Sequence, residues 1–246
     1  MRTLIQAHRG ASAYAPENTL PAFQLAVEMG ADGIECDIHM TKDGELVVCH
    51  DHSVDRTSSG KGRIADLTLK EIKALDFGAR FDARFTGTSA PTLAEMLEVV
   101  KPLQVINIEI KQFEHPMGQE KAQNIFYDVV KDSGCLEQVI VSSFDGKALA
   151  LLKQLHPDMT TCLLYDKMYG SARKAQSIGC EAIHPNYIHL TRATVLSAHR
   201  RGMKVNCWTP NDADEIGYMI DLGCDGVITN CPDVGLKVSR QKEHEK

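Results

Sequence analysis

The chain has 246 residues, 43% hydrophobic and 24% charged, with 18 Gly, 9 Pro and 8 Cys. That composition excludes disordered, collagen-like and disulfide-scaffold classes, and the length suits one or two domains or a single barrel of roughly 250 residues. A formal net charge of −6 argues against a protein that coats nucleic acid, although a few basic residues in a cleft suffice for a small anion.

Residues 1–10 contain no apolar run long enough for a signal-peptide core. No stretch approaches the roughly 18 apolar residues of a membrane span, so no stable membrane insertion is expected. The cysteines, Cys36, Cys49, Cys135, Cys162, Cys180, Cys207, Cys224 and Cys231, form no C-x-x-C pair. Reduced thiols in a cytoplasmic protein are the expectation.

In chain order, a strand-like run at 3–7 precedes a helical pattern at 20–29 and a second run at 33–40. Lys42-Asp43-Gly44 reads as a hairpin turn returning the chain through 46–49. The segment 51–91 is long, polar and Gly-rich, with one short helix expected at 69–75; connections of this length are usually functional or inserted. Thr68 with Glu71 and Thr92 with Glu95 read as capping boxes, the second opening a helix at 93–100. Strands at 105–110, 139–143, 161–165, 181–185, 204–208 and 226–229 then alternate with helices at 119–130, 146–155, 172–178, 193–200 and 213–222. Gly30, Gly179 and Gly223 each end a helix shortly before an apolar strand, the short αβ loop that a closed ring of βα units needs. Counting the hairpin as one unit leaves eight βα steps, which predicts an α/β fold of the (β/α)8 TIM-barrel type with a small insertion after the second strand, in a single domain over 1–246. A doubly wound open sheet is the alternative, but no G-x-G-x-x-G follows the first strand.

In a barrel, chemistry belongs at the C-terminal ends of the strands, and the polar residues that interrupt the apolar runs fall there. The first strand runs into His8-Arg9-Gly10. Glu35 and Asp37 share one face of the second, opposite Ile34, Cys36 and Ile38. The hairpin strand ends at His50, and Asn107, Glu109 and Lys111 alternate with three isoleucines. Three carboxylates meeting at one mouth call for a cation, and an all-oxygen set favours Mg²⁺, Ca²⁺ or Mn²⁺ over Zn²⁺. Arg9 and Lys111 suit phosphodiester oxygens, while His8 and His50 can divide acid and base duties near neutral pH. Glu109 with Lys111 alone also reads as an ion pair inside a barrel. His39 shares the face of Glu35 and Asp37 and is expected to be packed or solvent-exposed. Trp208, the only Trp, is core or a substrate wall.

Through these residues the sequence resembles the glycerophosphodiester phosphodiesterase family. The likeness runs from His8-Arg9-Gly10 and Pro16-Glu17-Asn18-Thr19 through Glu35-Cys36-Asp37, Val48-Cys49-His50-Asp51 and Arg56-Thr57. It continues at Ile108-Glu109-Ile110-Lys111, Ser142-Ser143-Phe144, Asn206-Cys207-Trp208-Thr209 and Asp225-Gly226-Val227-Ile228-Thr229-Asn230. The resemblance implies a distorted TIM barrel whose insertion is 51–91, and hydrolysis of glycerophosphodiesters to sn-glycerol 3-phosphate and an alcohol. It implies Glu35, Asp37 and Glu109 as ligands of one divalent cation, His8 and His50 as the acid–base pair, and Arg9 and Lys111 on the phosphate. Glu17 and Asn18 would support the site, with Phe144 and Trp208 facing the glycerol. Asn230 stands where the family often has Asp and is expected to be structural. Competing readings are a lysophospholipase D acting on lysolipids and a phosphodiester-binding barrel without turnover. The expected partner is the small-molecule substrate, with no nucleic acid, in a monomer or homodimer.

Overall fold

The computed structural model describes residues 2–111, 113, 115–166 and 171–244, with the side chain of Ser171 excepted. Strand β1 (Leu4–His8) leads through helix α1 (Leu20–Glu28) to β2 (Gly33–Met40), and β3 (Leu46–Val48) folds back on β2. After the segment 51–91, with its helix α2 (Leu69–Lys73), comes α3 (Leu93–Val100). The alternation then runs β4 (Val105–Ile110), α4 (Gln119–Ser133), β5 (Val139–Ser143), α5 (Gly146–Leu155), β6 (Thr160–Tyr165) and α6 (Ser171–Ser177). It ends with β7 (Ala182–Pro185), α7 (Arg192–His199), β8 (Lys204–Trp208), α8 (Ala213–Leu222), β9 (Gly226–Thr229) and α9 (Pro232–His244).

The sheet order β1-β9-β8-β7-β6-β5-β4-β2 closes on itself because β1 also pairs with β2, all in parallel. This is the expected eight-stranded barrel. Strand β3 lies outside the ring, antiparallel to β2 with Ile38 opposite Val48, and delivers the chain to His50. Period-two alternation sorts each strand. Ile34, Cys36, Ile38, Ile106 and Ile108 are fully buried toward the helix layer, each contributing about 1.5–3 kcal/mol by burial. The opposite positions carry polar groups into the lumen. A Cβ on Gly226 would lie 2.5 Å from Asn206 Oδ1 and 2.9 Å from Gln6 Nε2, so a glycine there leaves room for the interior amides.

The helix-ending glycines Gly30, Gly179 and Gly223 all have positive φ, and both capping boxes are formed. Segment 51–91 closes over its own apolar cluster, which includes Val47, Val54, Ile64, Ile72 and Phe77. Most boundaries hold or shift by one residue, two helix ends shift further, and one α-helix is additional. Helix α4 runs on to Ser133, where left-handed Gly134 stops it, whereas α2 ends at Lys73. Helix α9 was not foreseen, because its few apolar residues, among them Leu236 and Val238, are scattered between charges; tertiary contact with β1 and β9 covers them. All eight cysteines are free, and only Cys231 is less than buried. Among the described residues, no helix is long and apolar enough to cross a membrane.

Candidate active site

Barrel register assembles the site in layers. His8 pairs with Glu35 and Glu35 with Asn107, while Asp37 and Glu109 pair one layer nearer the mouth. Beyond β1 the chain turns sharply. Arg9 has φ +56° and Asn18 φ +58°, and the Asn18 backbone N–H donates to the Arg9 carbonyl at 3.0 Å. Non-glycine residues rarely adopt this conformation, and such strain gathers at functional sites. Gly10, at φ +79°, lies against α1 so closely that a Cβ would stand 2.6 Å from the Ala22 carbonyl carbon. The turn therefore requires glycine, and it aims Arg9 inward.

Glu35, Asp37 and Glu109 are all buried, and each offers a carboxylate oxygen within 4.8 Å of the others. Burial first, then repulsion from Asp37 and Glu109, pushes Glu35 well above the usual carboxylate range. Burial and Asp37 likewise raise Glu109 to about 7. Asp37 goes the other way: against the burial penalty, Lys111 and Arg9 hold it well below the usual range. Lys111 Nζ lies 2.8 Å from Asp37 Oδ1 and also bonds Glu109, and Arg9 Nε is 3.4 Å from Asp37 Oδ2. The Asn18 amide donates to Asp37 Oδ2 at 2.8 Å. Three crowded carboxylates, two of them raised by burial and by repulsion from one another, offer an oxygen set that fits a hard divalent cation.

The two histidines flank this cluster and have unlike partners. His8 Nε2 is 3.8 Å from Glu35 Oε2, and its Nδ1 lies 2.6 Å from Asn230 Oδ1. Burial and then the Arg9 charge push His8 down to about 4, so its imidazole is neutral at pH 7. His50 Nδ1 lies 2.7 Å from Asp51 Oδ1. Against the burial penalty, Arg56 and His50 bring Asp51 down to about 2. Arg9 Nη1 donates to Glu17 Oε1 at 2.9 Å. A cavity of about 180 Å³ collects His8, Arg9, His50, Glu109, Lys111 and, on its far side, Phe144 and Trp208. Those two rings meet edge to face at 5.9 Å, with Phe144 about half exposed.

Of the site residues expected from sequence, His8, His50, Arg9, Lys111, Glu35, Glu109, Phe144 and Trp208 line one cavity, Asp37 stands within 4.8 Å of Glu35 and Glu109, and Glu17 and Asn18 bond Arg9 and Asp37. Trp208 forms part of its wall, its indole N–H donating to the His184 carbonyl at 2.8 Å. His39 is packed, with Nε2 3.1 Å from the His50 carbonyl. Asn230, expected to be structural, bonds His8 directly. The two residues stand 222 positions apart and are brought together where β1 and the loop after it meet the end of β9. Asp51 and Arg56 stand in the sequence motifs without an assigned role, and His184 sits wholly buried between Asn107 and Asn206.

A closed βα barrel with a carboxylate cluster, two basic side chains and two histidines at its C-terminal mouth defines a class: TIM-barrel enzymes with a site suited to phosphoryl chemistry. The chain belongs to the glycerophosphoryl diester phosphodiesterase family, whose profile matches residues 8–234. It is 38% identical over 245 residues to a glycerophosphodiester phosphodiesterase of Caldanaerobacter subterraneus subsp. tengcongensis, covering 98% of this chain and 99% of that protein. A glycerophosphodiester phosphodiesterase of Bacillus subtilis is 34% identical, covering 97% and 87%. Among solved structures, an Oleispira antarctica phosphodiesterase in complex with its product sn-glycerol-3-phosphate superposes with a TM-score of 0.89 at 27% identity, covering 96% of each chain. The glycerophosphodiester phosphodiesterase of Thermotoga maritima superposes with 0.77 at 30% identity, covering 98% and 99%.

Proposed function

We propose that this enzyme hydrolyses glycerophosphodiesters, such as glycerophosphocholine and glycerophosphoethanolamine, to sn-glycerol 3-phosphate and an alcohol. The supporting observation is the convergence of two histidines, Arg9, Lys111, Glu35 and Glu109 on one cavity of about 180 Å³, with Asp37 within 4.8 Å of both carboxylates. Glu35, Asp37 and Glu109 would hold one divalent cation, Mg²⁺ or Ca²⁺ with Mn²⁺ as a third candidate, which supplies charge neutralisation at the phosphoryl oxygens. Arg9 and Lys111 bind those oxygens from the protein side, and Phe144 with Trp208 forms the wall against the glycerol. One histidine takes the proton of the glycerol 2-hydroxyl as it attacks phosphorus, and the other gives a proton to the leaving alcohol. A cyclic phosphate results, which water opens with the two roles exchanged. Residues 1–246 act as one domain in this reading, with 51–91 as its insertion. Eight free thiols suit a reducing compartment, and we place the enzyme in the cytoplasm.

The test is turnover of glycerophosphocholine and glycerophosphoethanolamine after EDTA, with Mg²⁺, Ca²⁺ or Mn²⁺ restored separately. Activity lost to EDTA and regained with a cation is the expected result. No turnover under any condition sinks the reading, and faster turnover of lysophosphatidylcholine reassigns the substrate to lysolipids.

A further inference from the structure

Arg56 belongs to segment 51–91 and does not line the catalytic cavity, yet its guanidinium makes two two-pronged contacts. Nη1 and Nη2 donate to the two oxygens of Glu17, both at 2.8 Å. Nε donates to Asp51 Oδ2 at 2.6 Å, and Nη2 also reaches Asp51 Oδ1 at 3.3 Å. Each carboxylate has a second partner inside the site. Glu17 accepts from Arg9 at 2.9 Å, and Asp51 bonds His50 Nδ1 at 2.7 Å. The result is one side-chain path, Arg9–Glu17–Arg56–Asp51–His50, that starts on the β1–α1 loop and ends on the loop after β3.

We propose that Arg56 is a positioning residue, a planar fork that holds the phosphate-binding Arg9 and the proton-transferring His50 in mutual register; this rests on the function proposed above. The guanidinium suits the task because its donors are coplanar and rigidly spaced, so two carboxylates bound at once have their relative orientation set. Stability is a poor reason for the arrangement. The Arg56 side chain is 49% exposed, and pairs that open to water contribute little to folding. The expected signature is therefore a small change in melting temperature beside a clear kinetic change. A displacement well under 1 Å at two reacting groups is enough to slow turnover by about tenfold or more.

The path also divides the effects. On the cavity side Asp51 bonds the histidine, so Asp51→Asn acts on kcat. On that side Glu17 bonds Arg9, so Glu17→Gln acts on KM. Arg56→Met, which keeps the chain's bulk, acts on both: kcat falls about 10-fold and KM rises about 5-fold. Arg56→Lys, a single ammonium that serves one carboxylate at a time, is expected to recover part of one effect and not both. In double variants, Arg56→Met adds less than about twofold to the kcat loss of Asp51→Asn and to the KM rise of Glu17→Gln, because each single change has already cut that arm. Calorimetric titration of inorganic phosphate into the cation-loaded protein gives a readout without turnover, with affinity about 5-fold weaker in Arg56→Met. Should Arg56→Met not fold, Arg56→Lys carries the same comparison. Values of kcat and KM within twofold of wild type, or losses that multiply in the double variants, overturn the proposal. If the wild-type chain cleaves no glycerophosphodiester, the function fails separately, and unchanged phosphate affinity in Arg56→Met still refutes the role given to Arg56.

Discussion

At the N-terminal end of the barrel, a cavity of about 320 Å³ is bounded by Arg2, Gln6, His199, Lys204, Asn206 and Asp225. At the C-terminal end the cavity holds about 180 Å³. Around the larger space, Arg2 bonds Asp32, and His199 Nε2 stands 2.8 Å from Asp225 Oδ2. The smaller one crowds three buried carboxylates within 4.8 Å and leaves Glu35 and Glu109 with raised pKa values. Volume therefore misidentifies the site, and unrelieved charge identifies it. Pairing is what a structural end needs; a reactive end must hold charge that a cation or substrate will complete.

The contrast can be broken by substitution at either end. His8→Ala and His50→Ala are each expected to lower kcat about 10²–10⁴-fold, whereas His199→Ala should stay within about twofold. An equal loss at His199 would end the distinction. Asp37→Asn removes the carboxylate that Lys111, Arg9 and Asn18 all address. It should weaken divalent-cation binding roughly 100-fold in a calorimetric titration, while Asp225→Asn leaves that binding unchanged.

A smaller effect comes from between the two ends. His184 is fully buried and pushed down to about 3 by that burial. Its folded pKa lies below its unfolded value of about 6.5, so below that pH the unfolded chain takes up a proton that the folded chain refuses. Its contribution is present above about pH 6.5 and is lost as pH falls toward 3, at ~1.4 kcal/mol per pH unit within the window. Urea midpoints at pH 7 and pH 5 should separate less in His184→Asn than in the wild-type protein. An unaltered separation would show that His184 does not supply the difference.

Legibility from sequence depended on whether a feature is local. The face shared by Glu35 and Asp37 follows from two-residue periodicity, and the capping boxes at Thr68 and Thr92 follow from spacing, so both were readable. That histidines and carboxylates stand at the strand ends was readable from alternation alone. Helix α9 escaped because a sparse apolar face becomes helical through packing on the barrel. The partners of Asn230, His184 and Arg56 escaped for a related reason. Each acquires its meaning from a partner distant in the chain, His8, Asn206 and Glu17 respectively, and residue type alone does not announce such a partner.

By itself the sequence determined the alternation of strands and helices, the extra hairpin strand and the placing of polar side chains at the strand ends, because these rest on periodicity and turn chemistry. Closure of β1 onto β2 and β9 decided the rest. It set which side chains are within bonding distance, how far burial and neighbouring charge move Glu35, Glu109 and His8 from their ordinary pKa values, and which end of the barrel carries unbalanced charge. Those quantities depend on separations of a few ångströms between residues up to 222 positions apart, and such separations exist only in the folded chain.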